Sequence, residues 1–188
     1  MNAVGATLLG LLMFTSTAFA ADDGFDPILR ELLREAASEA DSFVDQFDAE
    51  VWLTDMSRRL ARQVSDPEER IEILRNVHYE ATRADLAPEL VLAVIDVESN
   101  FDRFAISVAG ARGLMQVMPF WLNEIGRPDD NLLRVGTNLR FGCTILKYYL
   151  DMEDGDLVRA LGRYNGSLGS RKYPNKVLDK LRLKWFRA

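Results

Sequence analysis

Apolar residues recur along most of this chain with a helical period. After Asp26-Pro27, residues Ile28, Leu29, Leu32, Leu33 and Ala36 fall on one helical face. Proline suits the first turn of a helix, where its missing N–H would have no partner. A second helix is predicted from Val44 to Val64, with Val51, Trp52, Met56, Leu60 and Val64 along one side. Asp66-Pro67-Glu68-Glu69 opens a third, running to about Asp85. Pro88 opens a fourth, an apolar run from Leu90 to Val97 that ends on Glu98. Gly126-Arg127-Pro128 is a break. Asn138 to Met152 is strongly amphipathic, Asp156 caps a helix to Tyr164, and residues 172–186 read as helical. Strand signals are nearly absent, and a small hairpin near Phe104–Gly110 is the one candidate. The predicted class is mostly α, or α+β by that hairpin alone.

With 188 residues, 48% of them hydrophobic, the chain can bury a core of one compact domain. The formal charge of −6 is unevenly spread. Residues 21–88 carry 17 acids and 8 bases, whereas residues 89–188 carry 12 acids and 15 bases. The basic excess gathers at the end, in Arg171, Lys172, Lys176, Lys180, Arg182, Lys184 and Arg187 against Asp179. Such an end can meet an anionic polymer or a membrane surface, or be the solvated face of a helix. Residues 1–20 read as a secretory signal peptide, with an apolar Leu8–Phe14 stretch and an Ala18-Phe19-Ala20 cleavage site. The expected location is therefore the periplasm, as a soluble protein cleaved near Ala20. Residues 21–74 read as a helical extension before a catalytic domain over 75–188.

Several chemistries drop out by counting. Cys143 is the one cysteine, which excludes an internal disulfide, and His78 is the one histidine. Phe141, Ile145 and Leu146 make Cys143 read as a buried helical thiol, not a nucleophile with His78 as its one possible partner; a His/Cys metal site lacks members, and no cofactor is expected. In the acidic run Asp151–Asp156, Gly155 is out of step with a calcium-loop spacing, so a turn and helix cap are expected. What remains is Glu98, a carboxyl at the end of an apolar helix. Burial disfavours the charged form of an acid, and a carboxyl that stays protonated near neutral pH can protonate a leaving oxygen. That is the requirement of glycosidic bond cleavage.

The ordered set Glu98-Ser99-x-Phe101, Ala105-x-Ser107-x-x-Gly110-Ala111-x-Gly113-Leu114-Met115-Gln116-x-Met118-Pro119 and Tyr164-Asn165-Gly166 resembles the soluble lytic transglycosylase (SLT) family. Asn138, Gly142 and Tyr149-Leu150 fit the family's preceding helix, and the likeness covers about residues 75–180. The resemblance implies a goose-lysozyme-like, two-lobed helical fold with a sugar cleft. It implies cleavage of peptidoglycan between N-acetylmuramic acid and N-acetylglucosamine, leaving a 1,6-anhydro end. A usual glycosidase needs two carboxylates. Here Asp102 is expected past the helix end in a structural role, and Asp96 points elsewhere, so Glu98 would act first as acid and then as base.

By motif position, Ser107 would hydrogen-bond the carboxyl or an acetamido group, or be a plain turn serine. Gln116 would read sugar groups, and Met115 and Met118 would wall the cleft or belong to the core. Gly113 would admit the sugar to the backbone, or simply start a turn. Tyr164 would bond Glu98 or the sugar, or be a core tyrosine. Asn165 would position the acetamido group or the loop. Tyr149 is a further candidate, with Tyr148 beside it able to take its place. The chain departs from the family in having Arg163 before Tyr164-Asn165, where a muramyl carboxylate, a peptide stem or a surface ion pair could meet it. The expected partner is peptidoglycan glycan, with no nucleic acid, for a monomer. A hydrolytic muramidase, a non-catalytic peptidoglycan-binding module and a scaffold docking to envelope machinery through its N-terminal residues are the alternatives.

Overall fold

In a computed structural model the described residues are 27–38 and 42–186; the signal-peptide reading and Arg187 lie outside them. The helix starts follow the chemistry of their first residues. Helix α1 spans Pro27–Ser38 and α2 spans Gln46–Leu60. Asp45 caps α2 by accepting from the Asp48 amide at 2.9 Å. This cap starts α2 after the expected Val44, and the helix also ends at Leu60, four residues before the expected Val64. Helix α3, Pro67–Arg83, has Pro67 in its first turn and Asp66 as cap. Helix α4 is Pro88–Glu98. The short α5, Trp121–Ile125, has too few turns to show a period and was not anticipated. Helix α6, Val135–Met152, starts three residues before the expected Asn138. Helix α7, Leu157–Tyr164, is capped by Asp156, as expected.

The tail departs from a single helix. Helix α8 covers Lys172–Lys180, and the chain then widens into a π-helical turn, Leu181–Trp185. That turn lets three donors meet one carboxylate. Lys180 Nζ lies 2.6 Å from Asp96 Oδ1, while Lys184 Nζ and Trp185 Nε1 reach Oδ2 at 2.9 and 3.1 Å. The expected hairpin is also corrected. Among the described residues there are no strands, only isolated bridges pairing Ile106 with Arg112 and Arg112 with Val117. The passes of chain there are too short to build a ladder.

Helix α4 lies at the centre. Every residue from Leu90 to Asp96 is buried, as a helix apolar all round must be. It packs against α3, α8 and the π-helical turn, and α6 packs on α3 and α7. Leu33, Trp52, Leu53 and Met56 from α1 and α2 join the same core as Ile73 and Val91. The division expected at residue 74 falls inside α3. Among the described residues no helix is long and apolar enough to cross a membrane.

Candidate active site

Glu98 is the last residue of α4, and two features fix its direction. Ser99 Oγ donates to the Leu114 carbonyl at 2.8 Å, tying the helix end to the loop that follows. Asn100 and Phe101 then take left-handed backbone, φ +51° and +67°, so the chain turns back at once. Such conformations are costly for side-chain-bearing residues and persist where packing enforces them. Here Phe101 is buried against Trp185, with ring centroids 5.4 Å apart. The Glu98 carboxyl is half-buried and accepts a 2.6 Å hydrogen bond from Tyr173 Oη to Oε1. Burial raises its pKa above the ordinary carboxylate value, and the Tyr173 bond opposes this more weakly.

Two cavities meet at this point. One, of 340 Å³, is lined by Glu98, Asn165, Tyr173, Lys172 and Lys176, among others. The second, of 280 Å³, is lined by Gln116, Met118, Phe120, Trp121, Tyr149 and Tyr164, with Asn165 again at its edge. Asn165 thus joins a polar half holding the acid to an aromatic half of the kind on which sugar rings stack. Among the described residues Glu98 is the only carboxylate lining either half. Asp102 is exposed and accepts from the Phe104 amide, a turn role, and Asp96 is buried among its lysines.

The structure places the other anticipated residues as follows. Met118, Tyr149, Gln116, Tyr164 and Asn165 line the cleft; Tyr148 is 53% exposed and turned away. Met115 does not: its side chain is 0% exposed and packs on Gly142, where a Cβ would sit 2.2 Å from its sulfur. Its carbonyl instead accepts the Tyr164 hydroxyl at 2.8 Å, so that hydroxyl is engaged by the backbone and not by Glu98. Gly113, at φ +71°, faces inward as well. A Cβ there would lie 2.4 Å from Asn138 Nδ2 and 2.5 Å from the Leu132 carbonyl. The glycine therefore admits Asn138, not a sugar. Asn138 is buried, accepts from the Met115 amide and donates to the Arg112 and Leu132 carbonyls, each at 2.8 Å. It holds the loop by all its bonds, as a buried amide should. The Gln116 amide nitrogen also donates inward, to the Ala105 and Gly113 carbonyls. Ser107 lines neither cavity; its Oγ accepts from the Ala111 amide at 3.0 Å within the loop. Arg163 lines the aromatic half and pairs with Glu153, which Arg159 also holds.

Tyr173 is the residue that sequence reading missed. It lies 75 residues from Glu98, and no spacing rule links the two. Phe120 and Trp121 were missed with the short α5.

A helical domain with one protonatable acid in the polar half of a half-polar, half-aromatic cleft is the class this site defines. The chain belongs to the transglycosylase SLT domain family, whose model matches residues 75–183. A protein named transglycosylase, from Enterobacteria phage PRD1, is 32% identical over 106 residues, covering 53% of this chain and 39% of that relative. The chain thus matches well under half of that relative's length. The X-ray structure of lytic transglycosylase Slt from Pseudomonas aeruginosa is similar over 86% of this chain and 32% of that one, at 22% identity and a TM-score of 0.46.

Proposed function

We propose that the protein is a peptidoglycan lytic transglycosylase, cutting the β-1,4 bond from N-acetylmuramic acid to N-acetylglucosamine with Glu98 as its one acid and base. The observation that carries this reading is the lone half-buried carboxyl of the cleft, with its raised pKa. Protonated Glu98 gives its proton to the bridging oxygen as the C1–O bond breaks. The muramyl acetamido oxygen shelters the positive charge left on C1. The Glu98 carboxylate then takes the proton of the sugar's own 6-hydroxyl, whose oxygen bonds to C1. No water enters, and the 6-oxygen is already held by the ring it attacks, which replaces an encounter by an internal reaction. Tyr173 steadies the carboxylate between the two steps through its 2.6 Å bond. Asn165, which lines both halves, would fix the acetamido group, and Gln116 would read a sugar hydroxyl or N–H.

The proposed setting is the periplasm, on glycan strands, as a monomer. Digestion of purified sacculi by wild type and Glu98→Gln, with product masses, tests the chemistry. The wild type should release products one water lighter than reducing-end muropeptides, and the variant none while folding normally. Reducing-end products would make the protein a hydrolytic muramidase. Undiminished release by Glu98→Gln would remove Glu98 from the chemistry.

A further inference from the structure

The cleft does not end at Glu98. Val97 and Lys176 line both the Glu98 cavity and a neighbouring one of 660 Å³. Lys180 and Lys184 line that neighbour and a third cavity, also 660 Å³, which adds Arg58, Arg59, Arg62, Gln63 and Asn100. Through these shared lining residues the three cavities lie side by side, from the acid to α2, and are taken together below as the groove. Its wall has a regular origin: Lys172, Lys176 and Lys180 stand four residues apart, and such spacing aligns side chains on one helix face.

The charges facing this groove are unequal. Of the carboxylates lining it, Glu98 stands at one end, Asp96 is held by Lys180 and Lys184, and Asp179 pairs with Arg182 at 3.2 Å; of the cations, Arg59 is already paired with Asp55 at 2.8 Å. Arg59 also donates to the Lys184 and Phe186 carbonyls, so it and Lys184 hold the fold together. Lys172, Lys176 and Arg62 have no carboxylate partner among the described residues. Like charges held together in a concavity repel, and they are relieved by an anionic ligand.

We propose that this groove binds the free carboxylates of the peptide stems carried by the glycan, so that the protein favours strands bearing stems over bare ones. The proposal rests on the reading of the cleft as a glycan site. A strand lying through the aromatic half and past Glu98 would trail its substituents into the basic half. A bilayer, being flat, does not reach the floor of a concavity that opens beside the acid.

Binding tests the proposal without turnover. Glu98→Gln protein, and the same protein carrying Lys172→Gln, Lys176→Gln and Arg62→Gln, are titrated with soluble glycan strands that keep their stems or have been stripped by an amidase. The parent should prefer stemmed strands, and the preference should weaken with salt. The triple substitution should reduce it by about fivefold or more, since each exposed charge pair contributes little alone. Lysine-to-arginine and Arg62→Lys replacements should restore it, which excludes mere loss of fold. An unchanged preference, or an equal loss on both strand types, overturns the proposal. So does a charge effect confined to phosphatidylglycerol vesicles, which would make the groove a membrane contact. If wild type cuts neither strand while the preference stands, the cleavage reading fails and the groove remains.

Discussion

The rate of a reaction started by a protonated carboxyl depends on how long that proton stays on as pH rises. Burial raises the Glu98 pKa, and the Tyr173 hydrogen bond, which favours the charged form, pulls it back. Tyr173 itself stays a phenol, since burial and then the Glu98 charge push its own pKa well up. Removing the donor should therefore raise the Glu98 pKa further. In Tyr173→Phe the alkaline limb of the kcat/KM profile is expected to move to higher pH, with kcat lowered because the carboxylate of the proposed second step would lose its support. A pH–rate series on soluble strands checks this, and a limb that stays still or moves to lower pH contradicts it. The acid was legible in the sequence because its apolar neighbours are also its chain neighbours. Its partner was not, because Tyr173 reaches it only through the packing of α8 on α4. Met115 and Gly113 show the opposite limit. Motif position left them between the sugar and a structural role; Met115 packs over Gly142 and Gly113 against Asn138, on a helix that the loop's own sequence does not describe.

At the scale of elements, prolines and capping aspartates marked most helix starts, because those signals act within one turn. The π-helical turn left no such mark. It exists to satisfy Asp96, a residue 89 positions before Trp185. Burial alone would raise the Asp96 pKa, but the hydrogen bonds and charges of Lys180 and Lys184 outweigh that and leave it lowered. A folded-state pKa below the unfolded 3.8 means the unfolded chain binds the proton first. The Asp96 contribution is thus fully present above pH 3.8 and is lost as pH falls through the lower folded value. Asp96→Asn should cost about 2 kcal/mol at pH 7, less than a wholly buried pair because both lysines are partly exposed. Urea unfolding should show this gap closing below pH 3.8; a gap independent of pH would assign the cost to packing instead.

On the scale of the whole molecule, the question is how α1 and α2 are joined to the half that carries the cleft. Composition separated the two halves, acidic before Pro88 and basic after, but could not show how they dock. Part of the seam is a cluster around the single histidine. His78 of α3 stacks on Phe43 at 3.4 Å between centroids, meets the edge of Trp52, and is hydrogen-bonded through Nδ1 to Ser42 Oγ at 2.8 Å. Trp52 in turn donates to Glu89 of α4 at 2.8 Å. Burial lowers the His78 pKa to about 4, against an opposing pull from Glu89. The folded protein therefore holds a neutral imidazole where the unfolded chain would take a proton near pH 6.5. Stability from this cluster is complete above pH 6.5, falls steadily as pH drops toward about 4, and changes no further below that. Glu98 works the other way, because its raised folded pKa makes the folded state the better proton binder as pH falls toward 4.5. The two trends overlap, so wild type alone does not separate them. Comparison with His78→Gln does, since both proteins keep Glu98. Wild type is expected to lose urea resistance relative to the variant between pH 6.5 and 4, and equal slopes for the two proteins would show that His78 takes up its proton without disturbing the seam.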